Sequence, residues 1–204
     1  MVITMKYNYD KIMIDTVESF GGVKKSLLLH SCCGPCSTAC IERLKEFFNI
    51  TVIYYNPNIE PLEEYLHRKR EQIRLLKELD IPYIDVPYDN EVFVNNTKGL
   101  AQEREGGSRC SVCYGIRLKY TAQTAKVHNF DYFTTTLTVS PHKDSQIINA
   151  IGIAVGNVYS VPYLCADFKK RDGYLRSIEL AKEYELYRQN YCGCLYSKRD
   201  ENEE

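Results

Sequence analysis

Ser26-Leu27-Leu28-Leu29-His30-Ser31-Cys32-Cys33-Gly34-Pro35-Cys36 is the stretch that decides the fold. It opens as a short apolar run and is broken by the turn-forming Gly34-Pro35, the pattern of a buried strand entering a loop. A helix is predicted over 35–48, because proline at the first helical position needs no donor and Ile41, Leu44, Phe47 and Phe48 recur at helical spacing. Residues 51–55 read as the next strand, stopped by Asn56-Pro57-Asn58. Over 61–79, Leu62, Leu66, Ile73, Leu76 and Leu79 share one helical face, with Glu64 and Arg68 placed for an i,i+4 pair. A third strand over 81–86 is confined by Pro82 and Pro87, and a polar stretch then runs through Gly106-Gly107. Ser111 or a neighbour caps a helix reaching about His128, followed by a strand over 131–136, a helix over 143–154, a strand over 157–163 and a helix over 172–187.

Strands alternating with helices of this length require right-handed crossovers, so the expected class is α/β, a mainly parallel sheet with helices on both faces. The 204 residues are expected to form one such domain, with residues 1–25 as an N-terminal extension and 198–204 as an acidic tail. Ligands of such sheets bind beyond the carboxyl ends of the strands, which places the loops after Leu29, Tyr55 and Thr136 on the active edge. At 44% apolar and 26% charged residues the chain is an ordinary globular one, and no apolar run approaches the roughly 20 residues of a membrane span. The net charge of −1 provides no overall basic field, so any nucleic-acid partner would need a local patch.

The nine cysteines are the anomaly, because seven of them lie within three residues of another. They fall as Cys32-Cys33 with Cys36 and Cys40, then Cys110 and Cys113, a separate Cys165, and Cys192 with Cys194. Without an export signal this implies a reducing, cytoplasmic compartment, in which thiols serve metals or redox chemistry. Cys32, Cys33 and Cys36 sit at one helix start and Cys110 and Cys113 at another, where free amides and the helix dipole favour thiolates. Such pairs suit a tetrahedral zinc site or a [4Fe–4S] cluster, and spacing does not separate the two. A cluster on four thiolates carries a charge of about −2, which Arg109 or Lys143 would help to balance. Cys192-Gly193-Cys194 suits a redox-cycling dithiol, since Gly193 permits the bend that would bring the sulfurs together; two further metal ligands are the alternative. Cys40 and Cys165 read as core thiols.

Pro141-His142-Lys143-Asp144 follows a strand at the active edge, so Lys143 and Asp144 are candidates for a ligand or substrate role, or for a helix cap. The basic runs His67-Arg68-Lys69-Arg70 and Lys169-Lys170-Arg171 are solvated faces or phosphate contacts, and Tyr184, Tyr187 and Tyr191 share a helical stripe.

Six ordered motifs together resemble the QueH-type epoxyqueuosine reductases. They are His30-Ser31-Cys32-Cys33-Gly34-Pro35-Cys36-Ser37; Asn56-Pro57-Asn58-Ile59 with Glu64-Tyr65; Arg109-Cys110-Ser111-Val112-Cys113-Tyr114; Thr134-Thr135-Thr136-Leu137 with Ser140-Pro141-His142-Lys143-Asp144; Asp167-Phe168-Lys169-Lys170; and Tyr187-Arg188-Gln189-Asn190-Tyr191-Cys192-Gly193-Cys194. The resemblance implies a fold like the adenine-nucleotide α-hydrolases and a cobalamin-independent oxidoreductase that removes the epoxide oxygen of epoxyqueuosine at the tRNA wobble position, the last step of queuosine biosynthesis. It implies a [4Fe–4S] cluster on Cys32, Cys33, Cys110 and Cys113, with Cys36 as reserve ligand, an additional adjacent iron, and Cys192 with Cys194 as the redox pair. Removing an epoxide oxygen as water takes two electrons and two protons, so a one-electron cluster needs a second redox partner, and an electron donor of unknown identity must renew it. Lys143 or His142 would supply a proton. Basic runs would hold tRNA phosphates while Tyr54, Tyr55 or Tyr114 stacks a splayed base, and no membrane is involved.

Two other readings use the same residues. One is a zinc-organised RNA-binding module without redox activity. The other is a nucleotide-dependent tRNA sulfur-transfer enzyme, against which stand Cys32-Cys33 and Gly34-Pro35 in place of a glycine-rich phosphate loop.

Overall fold

A computed structural model describes residues 6–198. Strand β1 (Lys25–His30) lies between β2 (Phe48–Ile53) and β4 (Tyr132–Thr135), and β3 (Tyr83–Ile84) completes a parallel sheet of order β3-β2-β1-β4. His30 is in register with both Ile53 and Thr135, so the three longer strands end level and their following loops share one edge. Seven helices connect and flank them among the described residues: α1 (Tyr9–Glu18), α2 (Gly34–Leu44), α3 (Leu62–Glu78), α4 (Asn90–Asn96), α5 (Ser108–Val127), α6 (Ser145–Tyr159) and α7 (Gly173–Glu183).

The two faces are visible in successive residues of β1. Leu27 and Leu29 pack with Met13 and Val17 of α1 and with Cys40, Ile41 and Leu44 of α2. Leu28 points the other way, into Leu118, Ala122 and Ala125 of α5 and Ile148 of α6. A strand covered on both faces needs an unbroken apolar run, and each of these buried leucines contributes about 1.5–3 kcal/mol.

Several boundaries differ from the sequence expectation for local reasons. The helix predicted to Phe48 stops at Leu44, because Phe48 is taken up as the first residue of β2. The third strand shrinks to two residues beside Pro82, whose carbonyl still accepts from Val52 N at 2.9 Å. The predicted strand over 157–163 is mostly helix: α6 continues to Tyr159 and ends at Ser160 in the left-handed region, leaving Tyr163 alone to bridge Phe133. Gly107, and not Ser111, occupies the N-cap of α5. Helix α7 ends at Glu183, so Tyr184, Tyr187 and Tyr191 do not form a stripe on one helix. Helix α1 within the supposed extension and α4 within the supposed polar loop are additional elements. Of the acidic tail, residues 199–204 lie outside the described residues.

Candidate metal and redox site

The loop after β1 folds back on itself around a buried amide. Gln72 Oε1, from α3, accepts the hydroxyls of Ser31 and Ser37 at 2.6 and 3.0 Å, and the two hydroxyls lie 2.6 Å apart. This pins both sides of the cysteine turn. Cys33 is the N-cap of α2 and makes no side-chain capping bond, so Cys33 and Cys36 stand at the positive end of the helix. The sulfurs of Cys32, Cys33 and Cys36 all lie within 4.8 Å of one another. Cys33 Sγ is 3.9 Å from Cys32 Sγ and 3.1 Å from Cys36 Sγ. Thr136, just beyond β4, ties Cys32 down by accepting from its backbone N at 3.1 Å and donating to its sulfur at 3.3 Å.

Three sulfurs this close cannot titrate independently. Hydrogen bonds from Cys33 and Cys36 hold the Cys32 thiol well below its ordinary value, with Lys143 and Arg117 helping against the cost of burial. The same bonds, seen from the other side, push Cys33 up to about 12 and raise Cys36. The trio therefore carries one thiolate readily. A metal ion would displace the remaining protons.

Cys110 and Cys113 begin α5, and among the described residues they do not join the Cys32, Cys33 and Cys36 group within that 4.8 Å limit. Cys36, held in reserve on sequence grounds, completes the compact trio instead. Cys113 packs with Cys194 and Phe93 in a buried cluster, while Cys110 and Cys32 lie against the same core. Burial pushes Cys113 up to about 12 although Arg117 opposes it, and burial also raises Cys110, whose sulfur accepts from Gly106 N at 3.2 Å.

The Cys192-Gly193-Cys194 segment is held from α3. Arg68, its side chain 1% exposed, pairs with Glu64 at 2.6 Å and donates to the carbonyls of Cys192 at 3.2 Å and Tyr191 at 3.4 Å. Its guanidinium lies 4.8 Å from the Tyr191 ring centroid, and the Tyr191 hydroxyl donates to Glu60 O at 2.9 Å. Gly193 makes the expected bend at φ +126°, and its carbonyl accepts from Glu60 N at 2.9 Å.

A cavity of about 320 Å³ opens beside these groups, with Cys32, Cys36, Arg117, Lys143, Tyr191 and Cys192 among its lining residues. Burial opposes the charge on Lys143, but Cys192, Cys32 and Tyr114 outweigh it and the ammonium is held charged well above its ordinary range. Asp144 caps α6, its carboxylate accepting from Gln146 N at 2.7 Å. His142 is exposed on the cavity rim.

Residues 27–200 match the family model described as epoxyqueuosine reductase QueH. The chain belongs to the QueH family. It is 43% identical over 202 residues to the epoxyqueuosine reductase QueH of Streptococcus pyogenes serotype M1, covering 95% of this chain and 79% of that one. With the QueH of Thermotoga maritima it shares 33% over 183 residues, covering 87% and 93%. QueH proteins are oxidoreductases of queuosine biosynthesis, and this assignment favours the reductase over the RNA-binding and sulfur-transfer readings. Among solved structures it resembles the U34-tRNA thiolase NcsA from Methanococcus maripaludis with its [4Fe-4S] cluster, at TM-score 0.57 and 15% identity over 94% of this chain and 67% of that one. That likeness is one of fold. No helix among the described residues is long and apolar enough to cross a membrane.

Other expectations change once this QueH chain is folded. Tyr54, Tyr55 and Tyr114 are buried, with Tyr55 stacked on Tyr120 at 3.9 Å, so they are core residues and not free platforms for a base. Much of the basic runs is committed to ion pairs: Arg68 with Glu64, Lys69 with Asp85, Lys169 with Asp167 and Arg171 with Asp10. Cys40 is a core thiol, and Cys165 is half-buried. Arg117 at the cavity, and Gln72 and Arg68 bracing the cysteine segments, are roles beyond the sequence expectation: Arg117 left a trace in its place four residues after Cys113 and Arg68 in its spacing from Glu64, whereas Gln72 left none.

Proposed function

We propose that this QueH chain removes the epoxide oxygen of epoxyqueuosine in tRNA with an iron–sulfur centre and the Cys192/Cys194 dithiol. The observation that carries the reading is the trio of sulfurs at the start of α2, two of whose members, Cys32 and Cys36, line a cavity that Cys192 and Lys143 also line. An all-sulfur donor set beside helix amides and two cations fits an anionic cluster. Cys32, Cys33 and Cys36 would supply three ligands and Cys110 or Cys113 the remainder. When bound, such a centre, with or without an adjacent iron, supplies electrons and a Lewis acid for the epoxide oxygen.

The chain's own residues account for the rest. Two C–O bonds break, one C=C bond forms, and the oxygen leaves as water with two electrons and two protons. Closing Cys192 and Cys194 to a disulfide releases that number of each, and an external thiol or electron carrier reopens it. Lys143, held charged beside Cys192 and Cys32 in the cavity, would stabilise the negative charge that develops on the departing oxygen, whose two protons come from the dithiol. Asp144 fixes the start of α6 and so the position of Lys143. The nine free thiols suit a cytoplasmic setting.

The test uses anaerobic protein and tRNA carrying epoxyqueuosine, with digestion to nucleosides and mass analysis. Wild type converts the nucleoside to one lacking a single oxygen over many turnovers, while Cys192→Ser and Cys194→Ser do not sustain turnover. Full multiple-turnover rates in both serine variants contradict the dithiol role.

A further inference from the structure

Among the described residues, Arg117 is a buried cation with no carboxylate in an ion pair with it. It lies one turn beyond Cys113 on α5 and is 2% exposed. Its Nη2 donates to Asn56 Oδ1 at 2.5 Å, Nη1 reaches Cys113 Sγ at 3.9 Å, and Nε approaches His30 Nε2 at 3.4 Å. Among the described residues it enters none of the ion pairs, in contrast to the equally buried Arg68 with its Glu64.

Its other neighbours are neutral. Asn56 is an amide, turned towards Arg117 by its own bond from Nδ2 to Ser31 O at 2.9 Å. His30 is pushed down to about 3, first by burial and then by this guanidinium, so it adds no charge. A guanidinium cannot shed its proton, and leaving it unpaired in the interior is strongly unfavourable. The groups placed to carry compensating negative charge once a cluster is bound are sulfurs: Cys113 Sγ lies 3.9 Å from the guanidinium, and Cys32, Cys36 and Cys192 line the same cavity as Arg117.

We propose that Arg117 is a positioning residue for the reaction: a fixed positive charge, anchored by Asn56, that stabilises the electron-rich state of the sulfur-bound centre and so sets its reduction potential. This rests on the iron–sulfur reading above. Reduction adds negative charge beside a cation in a low-dielectric interior, so removing the cation makes reduction harder. It also gives the Asn56-Pro57-Asn58 turn a purpose, since Asn56 holds the guanidinium in place.

The test is an anaerobic redox titration of wild type, Arg117→Gln, Arg117→Lys and Asn56→Ala, followed by absorption and electron paramagnetic resonance, with iron and sulfide measured on each. Arg117→Gln is expected to lower the reduced-to-oxidised ratio at a given potential at least tenfold, a midpoint 59 mV more negative for a one-electron couple. Arg117→Lys, which keeps the charge, stays within about threefold of wild type. A midpoint for Arg117→Gln within about twofold of wild type at equal iron content overturns the proposal. Where Arg117→Gln does not fold or load iron, the other two variants decide: Asn56→Ala, which frees the guanidinium, shifted to a more negative midpoint with Lys near wild type supports it, and Asn56→Ala within about twofold of wild type or a tenfold shift in Lys overturns it. Wild type that binds no iron contradicts the iron–sulfur reading itself, and this proposal with it.

Discussion

Replacing Gly193 by alanine asks the Cys192-Gly193-Cys194 turn to hold a methyl group where the fold leaves no room. A Cβ there would sit 2.9 Å from Ile59 Cγ1, 3.2 Å from Arg68 Nη1 and 3.5 Å from Asn58 Nδ2, on backbone at φ +126°. That backbone region costs a non-glycine residue about 1–3 kcal/mol, and forcing the methyl against its neighbours adds about 1–3 kcal/mol. Arg68 is poorly placed to yield, because Glu64, Cys192 O and Tyr191 O already hold its guanidinium, and Ile59 is itself buried. If the turn stays in place the variant loses roughly 2–6 kcal/mol. For a domain of this size that lowers the Tm by at least about 4 °C. If the turn swings away, less stability is lost, but Cys192 leaves the cavity, Cys194 leaves its contact with Cys113 and Phe93, and turnover falls. Thermal unfolding and nucleoside conversion measured side by side distinguish the two. A Gly193→Ala protein with both its Tm, to within about 2 °C, and its turnover intact refutes the packing argument.

Arg68→Met should destabilise the fold by about 3–5 kcal/mol, because it strands Glu64 beside an apolar side chain, and the double variant with Glu64→Gln should recover part of the loss; denaturant unfolding of the three proteins checks this. Burial alone would raise the Asp10 carboxyl, but hydrogen bonds from Arg43 and Arg171 more than offset it and hold it below its ordinary value. Its stabilisation is therefore present above the unfolded carboxylate pKa and lost as the pH falls through the lower folded value. Asp10→Asn should cost about 1–2 kcal/mol at pH 7, and the gap to wild type should close below about pH 4, as followed by urea unfolding at each pH. Binding of tRNA should weaken with salt at a logarithmic slope of about 0.7–0.9 per phosphate contact. With the Lys169 and Arg171 cations engaged by Asp167 and Asp10, a slope above about three in a binding titration would show that contacts beyond these runs dominate.

Elements with an uninterrupted local pattern were legible in the sequence. The leucine run of β1 announced a strand covered on both faces, and the apolar face of α3 announced its helix to within a residue at each end. The Glu64–Arg68 pair was also legible, although spacing could not reveal that Arg68 turns inward and grips the Cys192 segment 124 residues away. Helix α1 was missed because Tyr9, Met13 and Val17 face the sheet from between charged neighbours, which reads as a mixed segment. The cysteine spacing identified the chemistry and the edge where it gathers. It did not identify which sulfurs stand closest, because Cys36 joins the trio through the pitch of α2, whereas Cys110 and Cys113 are placed by packing against distant elements. The tyrosines offered for base stacking failed for a related reason: Tyr54 and Tyr55 continue the line of β2 into the core, and exposure is not written in a residue's type.

Iron and acid-labile sulfide, measured with the absorption spectrum on protein purified without oxygen, test the central claim most directly. A brown protein with about four iron and four sulfide per chain, both lost in Cys32→Ser, is the predicted result. A colourless protein that carries zinc alone while still reducing epoxyqueuosine would contradict it.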